Sequence, residues 1–103
     1  MVIDEIRDLL AAPRAASQTF LERVDETLTD GYAHALQLEG ERWRIEQQIA
    51  EVVAGLPAGA DREHEPELMA LAERLRRSNE SIVGLRALLA TLRERRSELR
   101  KAA

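Results

Sequence analysis

The sequence contains no cysteine, few prolines, few aromatic residues and no long apolar run. The absence of cysteine excludes a disulfide framework, a thiolate zinc site and a thiol nucleophile. No apolar stretch approaches the roughly 18 residues that a membrane-spanning helix needs. Only 3% of the residues are aromatic, and β-branched residues are too sparse to build a sheet. Disulfide-rich, membrane-spanning and β-sheet proteins are therefore disfavoured.

The residues that are abundant favour helices. Alanine, leucine and arginine, all strong helix formers, occur 16, 15 and 14 times in a chain of 103 residues, whereas lysine occurs once. With 45% hydrophobic residues the chain is too apolar to stay disordered. We therefore predict an all-α protein of one small domain or one elongated substructure. The N-terminal residues MVIDEIRD are acidic where a secretory signal would be basic, so we expect a cytoplasmic location.

Three prolines and a turn-rich segment over residues 55–66 divide the chain. Pro66 suits the first turn of a helix, and Gly55 can end the helix before it. Pro13 can separate two helices or lie in the first turn of one continuous helix. We predict a short amphipathic helix over residues 1–13 and a helical hairpin over residues 14–103, with helices at about 14–56 and 66–101 and a loop at 57–65.

Apolar residues recur at alternating steps of three and four in both long segments, which is the heptad pattern of a coiled coil. We call these two rows the inner seams. Nine of eleven positions are apolar in the first row and eight of ten in the second. The first inner seam comprises Leu21, Val24, Leu28, Gly31, Ala35, Leu38, Arg42, Ile45, Ile49, Val52 and Leu56. The second comprises Leu68, Leu71, Leu75, Ser78, Ile82, Leu85, Leu89, Leu92, Arg96 and Leu99.

Two helices of similar length joined by a short loop are expected to pack as a long antiparallel coiled-coil hairpin. In the register that we predict, Gly31 lies opposite Leu92, and Asp25 lies near Arg100. Such exposed charge pairs select a register more than they stabilise it. Arg42, which occupies an inner-seam position, is expected to pair with Glu39 or Glu46.

Neither a metal site nor a catalytic constellation is evident. His34 and His64 are far apart in the sequence, and no zinc-binding helix motif or glycine-rich phosphate loop occurs. We therefore predict no enzyme activity and no cofactor. A small helical-bundle enzyme, with Arg42 and Arg96 around a cavity at a dimer interface, is kept as an alternative.

A second apolar stripe flanks the first inner seam. It contains Tyr32, Leu36 and Trp43, with Leu88 expected beside Leu36. A two-helix hairpin has only one seam, so these side chains would be exposed in a monomer, and Trp and Tyr are enriched at interface hot spots. We predict this stripe as a contact surface, with Ile3, Ile6 and Leu10 of the N-terminal helix as an accessory contact. Alternatively, that helix folds back on the hairpin, where its own length would take it to about residue 30 and leave Trp43 uncovered.

Together these observations predict a non-enzymatic interaction or oligomerisation module: an adaptor, scaffold or chaperone-like hairpin. We expect a homodimer that pairs two hairpins into a four-helix bundle, and a further protein partner is an open alternative. The competing class is a nucleic-acid-binding arm, because residues 61–103 carry a net charge of +2 against −6 for residues 1–60. The overall acidity and the few aromatics weigh against that class. Its arginines would be Arg74, Arg76, Arg77, Arg93, Arg95, Arg96 and Arg100.

Overall fold

The computed structural model describes residues 1–12, 18–56 and 61–102. They form three α-helices: α1 (Val2–Ala11), α2 (Gln18–Ala54) and α3 (Asp61–Ala102). Within these ranges there is no strand, so the predicted all-α class is confirmed. No helix in the same ranges is both long and apolar enough to span a membrane. The expected boundary at Pro13 and the first half of the expected loop, residues 57–60, lie outside the described residues.

The start of α3 differs from the expectation. The helix begins at Asp61, so Pro66 lies inside it and residues 61–65 are helical, although we predicted a loop there. Proline lacks the backbone N–H and therefore cannot donate to the carbonyl four residues earlier. At this position only the bond to the carbonyl of residue 62 is lost, and the helix continues on both sides. The prediction was wrong because it treated proline as a helix start, whereas the second turn also tolerates it here.

The chain divides into two compact units. Unit 1 comprises Met1–Leu36 and Val83–Ala103, and unit 2 comprises Gln37–Ile82. Unit 1 therefore contains α1, the first half of α2 and the second half of α3, whereas unit 2 contains the other halves of α2 and α3. This division does not follow the boundary at residue 13 that the sequence indicated, because α1 packs with the segments that we had assigned to the hairpin.

Unit 1 is a bundle of three helical segments around an apolar core. The α1 helix contributes Ile6 and Leu9, which are buried, and Ile6 is fully inaccessible to solvent. The α2 and α3 segments contribute residues from the two inner seams. Burial of these side chains is the main favourable term that holds the three segments together. The buried apolar side chains of unit 1 are Ile6, Leu9, Val24, Leu28, Ala35, Leu85, Leu89, Leu92 and Leu99.

All three helices meet at Gly31 in unit 1. A β-carbon at this position would overlap Cδ2 of Leu89 and lie 3.7 Å from Cδ1 of Ile6. The missing side chain therefore allows α1 and α3 to approach α2 closely. The sequence predicted Leu92 opposite Gly31, but Leu89 lies there instead. The inner-seam pattern described two helices only, and could not account for Ile6 sharing the space.

Polar contacts fix the ends of unit 1. Arg100 forms an ion pair with Asp25 (Nη2 to Oδ2, 3.7 Å), which confirms the predicted proximity, and Arg96 forms a second ion pair with the same carboxylate. Asp25 thus lies by Arg96 and Arg100, whereas Gly31, further along α2, lies by Leu89, which is earlier in α3, so the two segments of unit 1 run antiparallel. The last turn of α1 contains no basic residue, but Arg95 of α3 donates from Nη1 to the carbonyl oxygen of Leu10 at 3.3 Å. A guanidinium from another helix therefore satisfies a carbonyl at the end of α1.

Unit 2 consists of two helical segments with a much smaller core. Among its described residues, only Ile45, Leu71 and Ile82 are buried apolar side chains. Arg42 interrupts the inner seam, donates from Nη1 to Oδ1 of Asn79 at 3.4 Å and forms an ion pair with Glu46 at 3.6 Å. The predicted pairing of Arg42 with Glu46 is therefore confirmed. A half-exposed polar cluster therefore replaces apolar contacts over part of the interface between the α2 and α3 segments of unit 2.

Candidate interaction surface

Three large apolar side chains are exposed on unit 2. The exposed fractions are 61% for Trp43, 53% for Val53 and 65% for Met69. Each residue directly follows an inner-seam position, and one step along a helix rotates a side chain by about 100°. They therefore project beside the core and not into it. Trp43 stands out because an exposed tryptophan is the side chain that most often dominates a protein interface.

Trp43 belongs to a second row of residues on the outer side of α2. We define the outer seam of unit 2 as Trp43, Gln47, Ala50 and Ala54, all of which are exposed. Their alternating spacing of four, three and four residues places them on one stripe, as in a heptad repeat. The stripe combines one very large side chain with two very small ones, so it offers both a protrusion and a shallow shelf.

Charged residues border the outer seam. On one side Arg44 and Glu51 are exposed, and neither forms an ion pair with another side chain of the described ranges. They lie seven residues apart, which places them on the same flank but too far from each other to pair within one helix. On the other side lie Val53 and Glu46, and Glu46 is held by Arg42. One flank therefore presents an unused positive charge and an unused negative charge.

The contact stripe predicted from the sequence is divided between the two units, with Trp43 in unit 2 and its other members in unit 1. Tyr32 and Leu36 are exposed, and Leu88 is half-buried. The structure thus places Tyr32, Leu36 and Leu88 in one unit and Trp43 in the other. Whether any of them contacts a partner stays a prediction.

The accessory contact predicted on α1 needs a correction. Ile6 is fully buried against Gly31 in unit 1, so it is a core residue and cannot belong to an exposed surface. Ile3 and Leu10 are half-buried. Met1, Val2, Ile3 and His34 line a shallow groove of about 230 Å³, which shows that α1 folds back past the expected limit at residue 30. The expectation counted only the helix and omitted the six residues between Ala11 and Gln18.

The arginines of the alternative nucleic-acid arm are mostly engaged within the protein. Arg96 and Arg100 bind Asp25, and Arg95 bonds to the carbonyl of Leu10. Arg76 and Arg77 both contact Glu73 on their own helix. A guanidinium that is already neutralised contributes less to phosphate binding, which depends on free positive charge. These contacts weaken the case for a basic phosphate-binding face on α3.

Glu73 is the one carboxylate with a strongly shifted pKa among the described residues. Arg76 donates from Nε to its Oε2 at 2.9 Å and also binds Glu80, while Arg77 donates from Nε to Glu73 Oε1 at 3.3 Å. The hydrogen bonds from Arg76, reinforced by Arg77, lower the pKa of Glu73 from 4.5 to about 2. Since the cluster is solvent-exposed and lies within one helix, it stabilises the α3 helix locally and does not form a reactive site.

The other candidate chemistry is sparse. Arg42, Glu46, Leu75 and Asn79 line a shallow polar groove of about 190 Å³ in unit 2. Within the described ranges no group of three or more histidine, aspartate or glutamate side chains is placed to hold a metal ion. His34 lies in unit 1 and His64 in unit 2, where His64 faces Glu67 at 3.7 Å. None of these groups forms an arrangement of nucleophile, base and oxyanion donor.

Sequence reasoning missed Val53, Met69 and Val83 as exposed apolar residues. A signal for them was present, because each directly follows an inner-seam residue (Val52, Leu68 and Ile82) and so had to project beside the core.

Comparison with protein-family models, curated proteins and solved structures finds no match for this chain. The evidence for the function of this chain is therefore its own geometry.

Proposed function

We propose that this protein is a non-enzymatic interaction module that works by self-association, with unit 2 supplying the contact surface. In this proposal the helical segments pack by coiled-coil geometry along the inner seams. Two copies of unit 2 then pair into a four-helix arrangement. The cytoplasmic location that the sequence suggests stays a prediction.

The exposure of Trp43 is the observation that supports this proposal most directly. Each Å² of apolar surface left in solvent forgoes roughly 25 cal/mol of stabilisation, and Trp43 is 61% exposed. Val53 and Met69 are exposed on the same unit. Scattered exposed apolar residues are common on monomers, but tryptophan is among the residue types most enriched at interface hot spots.

The small core of unit 2 also supports the proposal. Two helical segments that touch along one stripe bury a smaller share of their surface than a compact domain does. The polar cluster at Arg42 and Asn79 further reduces the apolar part of that stripe. Pairing with a second copy would bury further apolar surface of unit 2, whose own core is small.

The proposal is tested by measuring the mass of the protein in solution over a wide concentration range. We expect a monomer–dimer equilibrium, and Trp43→Ala should weaken it by roughly thirty-fold or more, the size expected for an interface hot spot. Val83→Ala is the control because Val83 is similarly exposed but lies in unit 1. A strictly monomeric wild-type protein would contradict the proposal, as would a dimer that Trp43→Ala leaves intact.

A further inference from the structure

The outer seam of unit 2 is asymmetric along its length. Trp43 lies at its N-terminal end, and Ala50 and Ala54 lie at its C-terminal end. A second copy running in the opposite direction would bring the large end of one seam onto the small end of the other. Parallel pairing would instead place Trp43 against the partner's Trp43 and alanine against alanine. Complementarity of size therefore favours the antiparallel arrangement.

We propose that the outer seam binds the outer seam of a second copy, antiparallel, about a two-fold axis between Gln47 and Ala50. In this register Trp43 packs on Ala54 of the partner subunit, and Gln47 lies against Ala50 of the partner subunit. This inference rests on the proposed function and adds to it the identity of the partner, the direction of pairing and the register.

The flanking charges select this register independently of size. Antiparallel helices bring equivalent flanks together, so Arg44 meets the partner's Glu51, and symmetry repeats this pair. Glu46 meets the partner's Val53 on the other flank. A shift by one heptad toward the N-terminus would instead bring Arg44 against the partner's Arg44 and Glu46 against the partner's Glu46. The proposed register thus uses both unpaired charges of the flank and creates no like-charge contact.

The size of this interface predicts its strength. The seam from Trp43 to Ala54 is about 17 Å long at the rise of an α-helix. Such a short contact falls in the class of small interfaces that form transient complexes. We therefore expect a weak, concentration-dependent dimer whose association is sensitive to salt, because two exposed ion pairs contribute to it.

Exchange of the two flanking charges tests the register directly. Arg44→Glu and Glu51→Arg should each weaken self-association by roughly tenfold, since both symmetric pairs become repulsive. An equimolar mixture of the two variants should recover wild-type affinity. In the mixed dimer the two introduced side chains form one ion pair, and the native Glu51 of one copy and the native Arg44 of the other form the second. The control mixture is Arg74→Glu with Glu65→Arg, which makes the same charge changes on exposed positions of unit 2 outside the seam.

Fluorescence and cross-linking give two further measurements. Trp43 is the only tryptophan, so its emission should shift to the red when the wild-type protein is diluted. Because the chain has no cysteine, Gln47→Cys mixed with Ala50→Cys should form a disulfide-linked heterodimer in high yield. Gln48→Cys mixed with Ala50→Cys should link much less, because residue 48 is rotated away from the seam. These variants change only exposed positions, so unchanged helicity is expected by circular dichroism.

The possible results separate this inference from the proposed function. A wild-type dimer that Trp43→Ala dissociates, but whose affinity the charge variants and their mixture do not change, would overturn the register while the interaction module stands. Equal cross-linking of Gln47→Cys and Gln48→Cys to Ala50→Cys would overturn the register in the same way. A wild-type protein that stays monomeric would overturn both. Recovery of affinity in the mixture, together with selective cross-linking at position 47, would support the antiparallel pairing.

Discussion

Units 1 and 2 are built from the same two helices, but their interiors differ. Unit 1 has nine buried apolar side chains among the described residues, and unit 2 has three. The third helix accounts for much of this difference, because α1 inserts Ile6 and Leu9 and no counterpart of α1 lies in the described part of unit 2. The comparison shows that a two-helix seam by itself leaves one side uncovered. Unit 2 leaves Trp43 exposed beside its seam, whereas in unit 1 the α1 helix adds to the core, although Tyr32 and Leu36 stay exposed there.

Matched leucine truncations should show the largest difference between the units. Leu92→Ala in unit 1 removes a fully buried side chain and should lower the free energy of unfolding by about 3–5 kcal/mol. Leu71→Ala in unit 2 should cost about 2 kcal/mol, because its site in a two-helix core opens more easily to solvent and leaves a smaller closed cavity. Chemical denaturation followed by circular dichroism measures both values. Equal losses would show that the two cores are alike.

Glycine substitutions should give effects of opposite sign. Gly31→Ala should destabilise the protein by about 1–2 kcal/mol, since its β-carbon overlaps the tightly packed Leu89 and the gain in helix propensity offsets only part of this cost. Gly84→Ala has no heavy atom within 4 Å of the new β-carbon and should stabilise α3 by up to about 1 kcal/mol. Thermal unfolding of both variants checks the prediction, which fails if Gly31→Ala is as stabilising as Gly84→Ala.

Neutralising Glu73 should have the smallest effect, and the effect should depend on pH. The pKa of Glu73 is lowered to about 2 in the folded state, so its contribution to stability is present above the unfolded value of about 4.5 and is lost as the pH falls toward 2. Glu73→Gln should therefore lower the melting temperature slightly at pH 6 and leave it unchanged near pH 2. Glu65→Gln, on the same helix, is the control, and a deficit that persists at pH 2 would refute the electrostatic explanation.

Periodicity predicted the helices and most of the core. Leu85, Leu89 and Ile45 lie on the inner seams and are buried, because the 3.6-residue period of a helix determines which side chains share a face. The exposure of Trp43 followed from the same reasoning, since it lies beside an inner seam and not on it. The spacing of apolar residues was therefore sufficient to predict which face of each long helix is buried.

Properties that involve three helices could not be predicted from the pattern. Gly31 faces Leu89, and Cδ1 of Ile6 lies close to the same position, but no spacing within α2 or α3 reports on α1. The burial of Ile6 was missed for the same reason, since an amphipathic helix has the same sequence whether its apolar face meets its own chain or a partner. The division into units also depends on contacts between residues far apart in the sequence.

The sequence positions of the two units have a consequence for how the protein folds. Unit 2 is one continuous segment, residues 37–82, so all its contacts join residues of that segment. Unit 1 joins the first 36 residues to those after 82, so Ile6 and Leu9 of α1 share a core with residues such as Leu85 and Leu99 that lie far away in the sequence. Contacts between such distant residues form slowly. We therefore expect the larger core of unit 1 to form more slowly than the smaller core of unit 2.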